Sequence, residues 1–124
     1  AHTLLYHSAQ TGQDIHYLAY IGERPVGGIT LSMGSAAGLW NFAILPNMRK
    51  QGIGSALIQN TIQDAQSSGH QNLMAILMPT NEMTTLWNQF NFKEICYFPF
   101  YINNCRSKRA INAQPRQVLS QSLF

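Results

Sequence analysis

"NMRKQGIGSALIQ", residues 47–59, decides how this chain is read. It follows an apolar run that ends at Pro46, and it places Gly52 and Gly54 between exposed polar residues and an apolar pattern of helical spacing. A strand, a glycine turn and a helix start in succession form an anion site. The first N–H groups of a helix have no intrahelical partner, and the helix dipole adds positive potential there. Gly52 and Gly54 let the backbone come close to phosphate oxygens, and Arg49 and Lys50 add charge at the rim. The nucleoside-triphosphate loop needs Lys and then Ser or Thr after its last glycine, whereas Ser55 and Ala56 follow Gly54. The dinucleotide fingerprint needs a third glycine where this chain has Leu57.

Working outward, residues 15–20 and 26–33 are β-rich runs joined by "IGERP", which predicts a hairpin, and 37–46 completes a three-strand meander. From 52 to about 68 the apolar residues follow helical spacing, with Gly69 suited to the position after the helix end. The continuous apolar run 73–78 predicts a strand covered on both faces, parallel to the strand before the helix. Thr80 or Asn81 caps a second helix with Glu82 in its first turn and a buried stripe of Met83, Leu86, Trp87 and Phe90. Residues 92–102 return as a strand, and 116–124 alternate well enough to pair antiparallel with it. The expected class is α/β of the α+β kind. Its order is β-β-β-α-β-α-β-β, a mixed, mostly antiparallel sheet with a central parallel pair flanked by helices.

The 124 residues fit one domain, and a composition of 45% apolar and 10% charged residues excludes disorder. No apolar run reaches the roughly 20 residues that span a bilayer, and no secretory leader pattern opens the sequence, so a cytoplasmic location is expected. Cys96 and Cys105 lack metal or redox spacing and the four histidines are scattered, so no metal is expected. The net charge of +3 belongs to the tail, where Arg106, Lys108, Arg109 and Arg116 stand without an acid. A solvated loop is the commoner meaning of such a cluster, and the lack of an RNA-binding aromatic motif argues against nucleic acid.

"LPNMRKQGIGSALI" resembles the R/Q-x-x-G-x-G/A signature of the GNAT superfamily of N-acetyltransferases, with Arg49, Gly52 and Gly54 on the motif positions. "LWNQFNFKEICYFPFYI" is similar to that family's "LYEKLGFKEVG…YY" ending, and the likeness covers roughly residues 15–124. It implies acetyl-CoA as co-substrate. The pyrophosphate would meet the backbone of Gln51, Gly52, Ile53, Gly54 and Ser55, with Arg49 and Lys50 beside it. Pantetheine would lie along the backbone of Phe42, Ala43 and Ile44, and a helix-start contact would fall on Thr80 or Asn81. The implied reaction is transfer of an acetyl group to a primary amine, on a small molecule or a peptide, by direct attack in a ternary complex.

The resemblance is uneven over the catalytic groups. "GLWNFAIL" has no carboxylate, so a base would come from Glu82, from His7 or through a water relay. The family's acid, a Tyr, falls on Trp87, whose indole can donate a hydrogen bond but not a proton, so it either stabilises the leaving thiolate or fills core. Tyr97 and Tyr101 are alternative acids. Asn91 replaces a glycine, a change that left-handed backbone tolerates. About 14 residues precede the first predicted strand, where the family has a strand and two helices, and "TLLYHSAQ" reads as the end of the second helix. The chain is therefore expected to be a single GNAT-like domain over 1–124 lacking the usual first strand and helix. It would be a trimmed member, a fragment or the carboxyl-terminal part of a longer protein, with its acceptor pocket open or finished by a homodimer partner or a missing amino-terminal domain. Few acids argue against polyamine acceptors, and the basic loop 103–109 suits an acidic amine. The alternative is a catalytically degenerate module that binds CoA or other proteins.

Overall fold

Gly12 and Gly22, both at φ 62°, set the first half of the fold. Each is the first residue of a two-residue loop, between Thr11 and Asp14 and between Ile21 and Arg24, where a positive φ matches the twist of the flanking strands. The computed structural model describes residues 4–77, 80–102 and 112–122, with side chains except at 97–102 and 112–117. Strands β1 (Leu4–Thr11), β2 (Asp14–Ile21), β3 (Arg24–Met33) and β4 (Ala37–Ile44) form an antiparallel meander. β1 corrects the expectation of a helix end in "TLLYHSAQ". These residues have no helical apolar stripe, and Gly12 turns them back onto β2 in unbroken register.

The described residues add β5 (Asn72–Leu77), β6 (Lys93–Ile102) and β7 (Asn112–Ser122), giving a seven-stranded sheet in the order β1-β2-β3-β4-β5-β7-β6. β5 is parallel to β4, and β7 pairs antiparallel with β6, both as the sequence suggests, with β7 lying between β5 and β6.

Helix α1 (Ile53–Ser67) buries Ile53, Leu57, Ile58, Ile62 and Ala65 against Ala19, Ile29, Leu31, Leu39, Leu73 and Ala75 of the sheet. It stops where Gly69 takes φ 83°, with the Gly69 and His70 N–H groups donating to the Gln66 and Ala65 carbonyls, the paired bonds that close a glycine-terminated helix. Helix α2 (Asn81–Asn88) starts at Thr80, whose Oγ1 accepts from the Met83 N–H at 3.2 Å. Beyond its last turn Asn91 stands at φ 63°, the left-handed geometry anticipated for it. Of its expected buried stripe only Trp87 is buried, while Met83, Leu86 and Phe90 are half-buried against the core. Trp87 joins the same core as α1, so both helices cover one face of the sheet. This corrects the reading of β5 as covered on both sides. Leu73, Ala75 and Leu77 are buried, but Met74 and Ile76 on the opposite face are 38% and 46% exposed.

Candidate active site

β4 and β5 pair over only three residues, from Ala37 with Leu73 to Leu39 with Ala75. Immediately beyond, β4 carries a bulge. Thr30 pairs with Trp40 and Gly28 with Ala43, so Asn41 and Phe42 together oppose Ile29. Asn41 takes φ 56°, and a bulge of this kind bends its strand. The bend carries β4 away from β5, and a cleft of about 840 Å³ opens beside the parted strand. Phe42, Ala43 and Ile44 line it from β4, followed by the turn and first helical residues Met48, Arg49, Lys50, Gly52, Ile53, Gly54 and Ser55.

The turn into α1 is built from a single 3₁₀ turn at Pro46–Met48 and two left-handed residues, Lys50 at φ 63° and Gly52 at φ 82°. The first helical bond runs from the Ala56 N–H to the Gly52 carbonyl, and no side chain caps the end. The N–H groups of Ile53, Gly54 and Ser55 are thus left without helical partners at the cleft. Arg49 folds back so that its Nε donates to the Ile44 carbonyl at 3.2 Å, which sets a guanidinium where strand and turn meet.

The two glycines of the motif act differently. A Cβ on Gly52 would meet nothing within 4 Å, and the positive φ is what requires glycine there. A Cβ on Gly54 would stand 2.9 Å from Phe42 Cζ and 3.5 Å from Leu86 Cδ2, so this glycine lets the helix start close against the cleft wall.

The opposite wall is α2 with its cap: Thr80, Asn81, Glu82, Met83, Thr85, Leu86 and Gln89. Glu82 is the only carboxylate among the lining residues. Trp87 does not line the cleft. It is 1% exposed, edge-on to Phe42 with ring centres 5.6 Å apart and to Phe92 at 4.8 Å, and its Nε1 has no hydrogen-bond partner. Gln51 is exposed and lies outside the lining, and His7 packs edge-on against Tyr20 on β1 and β2, away from the cleft. The backbone of Tyr101 pairs with Ala113, and its side chain, like that of Tyr97 and the basic loop 103–109, lies outside the described parts. Sequence reasoning did not place Met48, Met83, Thr85, Leu86 and Gln89 on the cleft. Met83 and Leu86 were legible only as an apolar stripe, which does not distinguish core from cleft wall.

Away from this site, the Tyr17 hydroxyl donates to the Asp64 carboxylate beside a hollow of about 180 Å³ between β1 and α1. Burial first, then the bond to Asp64 and its charge, push the Tyr17 pKa above the ordinary 10. Among the described residues no cluster of His, Cys, Asp and Glu could hold a metal ion, and no helix is long and apolar enough to cross a membrane.

The profile of the acetyltransferase (GNAT) family matches residues 2–92. The chain belongs to that family. Among the curated proteins none matches its sequence. Of the solved structures, the ribosomal-protein-S18-alanine N-acetyltransferase of Escherichia coli is similar at a TM-score of 0.74 and 16% identity, over 92% of this chain and 72% of that one. A GNAT acetyltransferase of Elizabethkingia anophelis, with acetyl-CoA bound, gives 0.74 and 15% over 96% and 97%. A Bacillus subtilis acetyltransferase in complex with CoA gives 0.71 and 13% over the full length of both. At these identities the likeness is one of fold, and the GNAT fold is what the sheet order and the parallel β4–β5 pair display.

Proposed function

We propose that this GNAT chain moves an acetyl group from acetyl-CoA to a primary amine by direct attack in a ternary complex. The observation that carries the reading is the junction of two features. The unladdered edge of β4 at 42–44 runs directly into the unpartnered N–H groups of 53–55. The pantetheine amides extend β4 as a short added strand would, and the pyrophosphate accepts from the helix N–H groups with Arg49 and Lys50 beside it. Thr80 and Asn81 complete the cofactor contacts from the opposite wall.

The amine nitrogen bonds to the thioester carbonyl carbon, the nitrogen of the tetrahedral intermediate gives its extra proton to solvent, and the intermediate collapses as the C–S bond breaks to release CoA thiolate. An ammonium must first lose a proton, and Glu82 is the base, directly or through water. The thiolate takes up a proton as it leaves, with Tyr101 as the donor. Trp87 braces Phe42 from behind, and its indole N–H is too deeply buried to reach a ligand without movement. That burial, in the position of the family's Tyr, favours one alternative, a module that binds CoA without turnover.

Calorimetric titration with acetyl-CoA, with Gly54→Glu as control and circular dichroism on both proteins, tests the cradle. Saturable binding that the folded variant lacks supports it, and no binding by wild type refutes it. Thiol release with a panel of amines then separates enzyme from binding module, since only the enzyme turns over.

A further inference from the structure

Regular strand alternation would turn Phe42 away from the helices. Leu39 is buried on the helix face and Trp40 is exposed on the other, so in an unbroken strand position 41 would return to the helix face and 42 would leave it. The bulge reverses this. Asn41 and Phe42 together oppose one residue of β3, and Phe42 is delivered to the helix side, edge-on to Trp87. There its ring lies between the two walls of the cleft. The Cβ position of Gly54, at the start of α1, is 2.9 Å from Phe42 Cζ and 3.5 Å from Leu86 Cδ2 of α2, so ring tip, helix start and α2 meet at one point. Behind the ring stand Trp87 and Phe92, 1% and 2% exposed and edge-on to each other. The ring is a wall with no room to retreat, and neither Phe42, Gly54 nor Leu86 carries a polar side-chain atom.

The place of this wall along the cleft gives it a role, which rests on the acetyl-CoA reading above. In an acyl-CoA the pantetheine arm separates the diphosphate from the thioester, so fixing one end fixes the direction of the other. The unpartnered N–H groups of 53–55 lie at the end reached through Ile44 and the turn. Followed backward from Ile44, β4 comes to Phe42, where the cleft narrows toward the Leu39–Ala75 pair. We infer that Phe42 sets the acyl length. Its ring stops the chain just beyond the thioester, admits the acetyl methyl and disfavours straight acyl chains of four carbons or more. A chain longer by two methylenes pushes against a ring held from behind, and overpacking of that kind weakens binding by about tenfold or more. With the ring removed, the space it leaves is faced by Trp87 and Leu86. Each further methylene buried there gains about fourfold.

The test needs no acceptor amine. It is calorimetric titration with CoA, acetyl-CoA, butyryl-CoA and hexanoyl-CoA, on proteins shown to be folded by circular dichroism. Wild type should bind CoA and acetyl-CoA, hold butyryl-CoA at least about tenfold more weakly than acetyl-CoA, and hold hexanoyl-CoA more weakly still. In Phe42→Ala the order should invert, with butyryl-CoA up to about 15-fold tighter than acetyl-CoA from two buried methylenes. Phe42→Leu, which disturbs the packing around Trp87 less, should narrow the wild-type gap in the same direction. Met48→Ala, in the turn before α1, should weaken every ligand alike and leave their order unchanged. CoA that fails to bind folded wild type refutes the cofactor reading and this inference with it. If CoA and acetyl-CoA bind but hexanoyl-CoA binds equally well, or if neither Phe42 variant changes the order, the acyl limit alone is overturned.

Discussion

Substituting Gly54 by alanine sets two well-understood effects against each other. In a helix, alanine is favoured over glycine by at most about 1 kcal/mol, and less in the first turn. Against that, the new methyl would stand 2.9 Å from Phe42 Cζ, where ordinary contact begins near 3.4 Å, so the ring must retreat by about 0.5 Å. The Phe42 ring is braced edge-on by Trp87, itself wedged against Phe92, and its open side is the cleft. Overpacking against a braced ring costs about 1–3 kcal/mol. Gly54→Ala is therefore expected to lose about 1 kcal/mol net, a fall in Tm of about 3–5 °C for a domain of this size. It should also weaken acetyl-CoA binding about tenfold, because the ring moves into the ligand's path. Adding Phe42→Leu should recover most of the lost stability. Gly52→Ala is the control. It too should destabilise, by about 1–2 kcal/mol through left-handed strain, but its methyl meets nothing, so Phe42→Leu should not rescue it. The measurement is a set of denaturant melts on the four single and double variants. A Gly54→Ala protein more stable than wild type, or equal rescue of both glycine variants by Phe42→Leu, would refute the packing argument.

Two further outcomes rest on single contacts. Thr80→Ala removes the acceptor of the Met83 N–H and should cost about 1 kcal/mol in urea unfolding, with Thr80→Ser restoring most of it. The Tyr17 hydroxyl is held protonated above its ordinary pKa of 10 in the folded chain, while the unfolded chain ionises it normally. The stabilisation is complete below pH 10 and is lost as pH rises toward the folded value, so the alkaline fall in stability should be shallower in Tyr17→Phe.

What the sequence disclosed is what local signals encode. Helical spacing from Ile53 with Gly69 behind it located α1, and Gly22 and Pro46 bounded strands of the meander. β1 was invisible because seven of its eight residues are exposed, so neither a two-residue nor a helical apolar period marks it. Its conformation is set by β2, which is a tertiary fact. The apolar run in β5 shows the converse, since the pattern cannot say which faces will be covered. At the cleft, nearly every residue suggested by the glycine motif and its flanks lines the wall. The bulge at Asn41 that opens the cleft has no signature, because asparagine is permitted in left-handed backbone without requiring it. Trp87 could be read either way until Phe42 and Phe92 were found on either side of it.

That bulge has a consequence for how stability and capacity are balanced in this molecule. Without the additional residue, β4 and β5 would continue side by side beyond Leu39 and Ala75, and each further ladder bond would contribute about 0.5–1.5 kcal/mol. A single inserted position is thus the difference between a firmer sheet with no room in it and a less stable one that can receive a guest. The protein forgoes rigidity at a point where an unfinished ladder is useful.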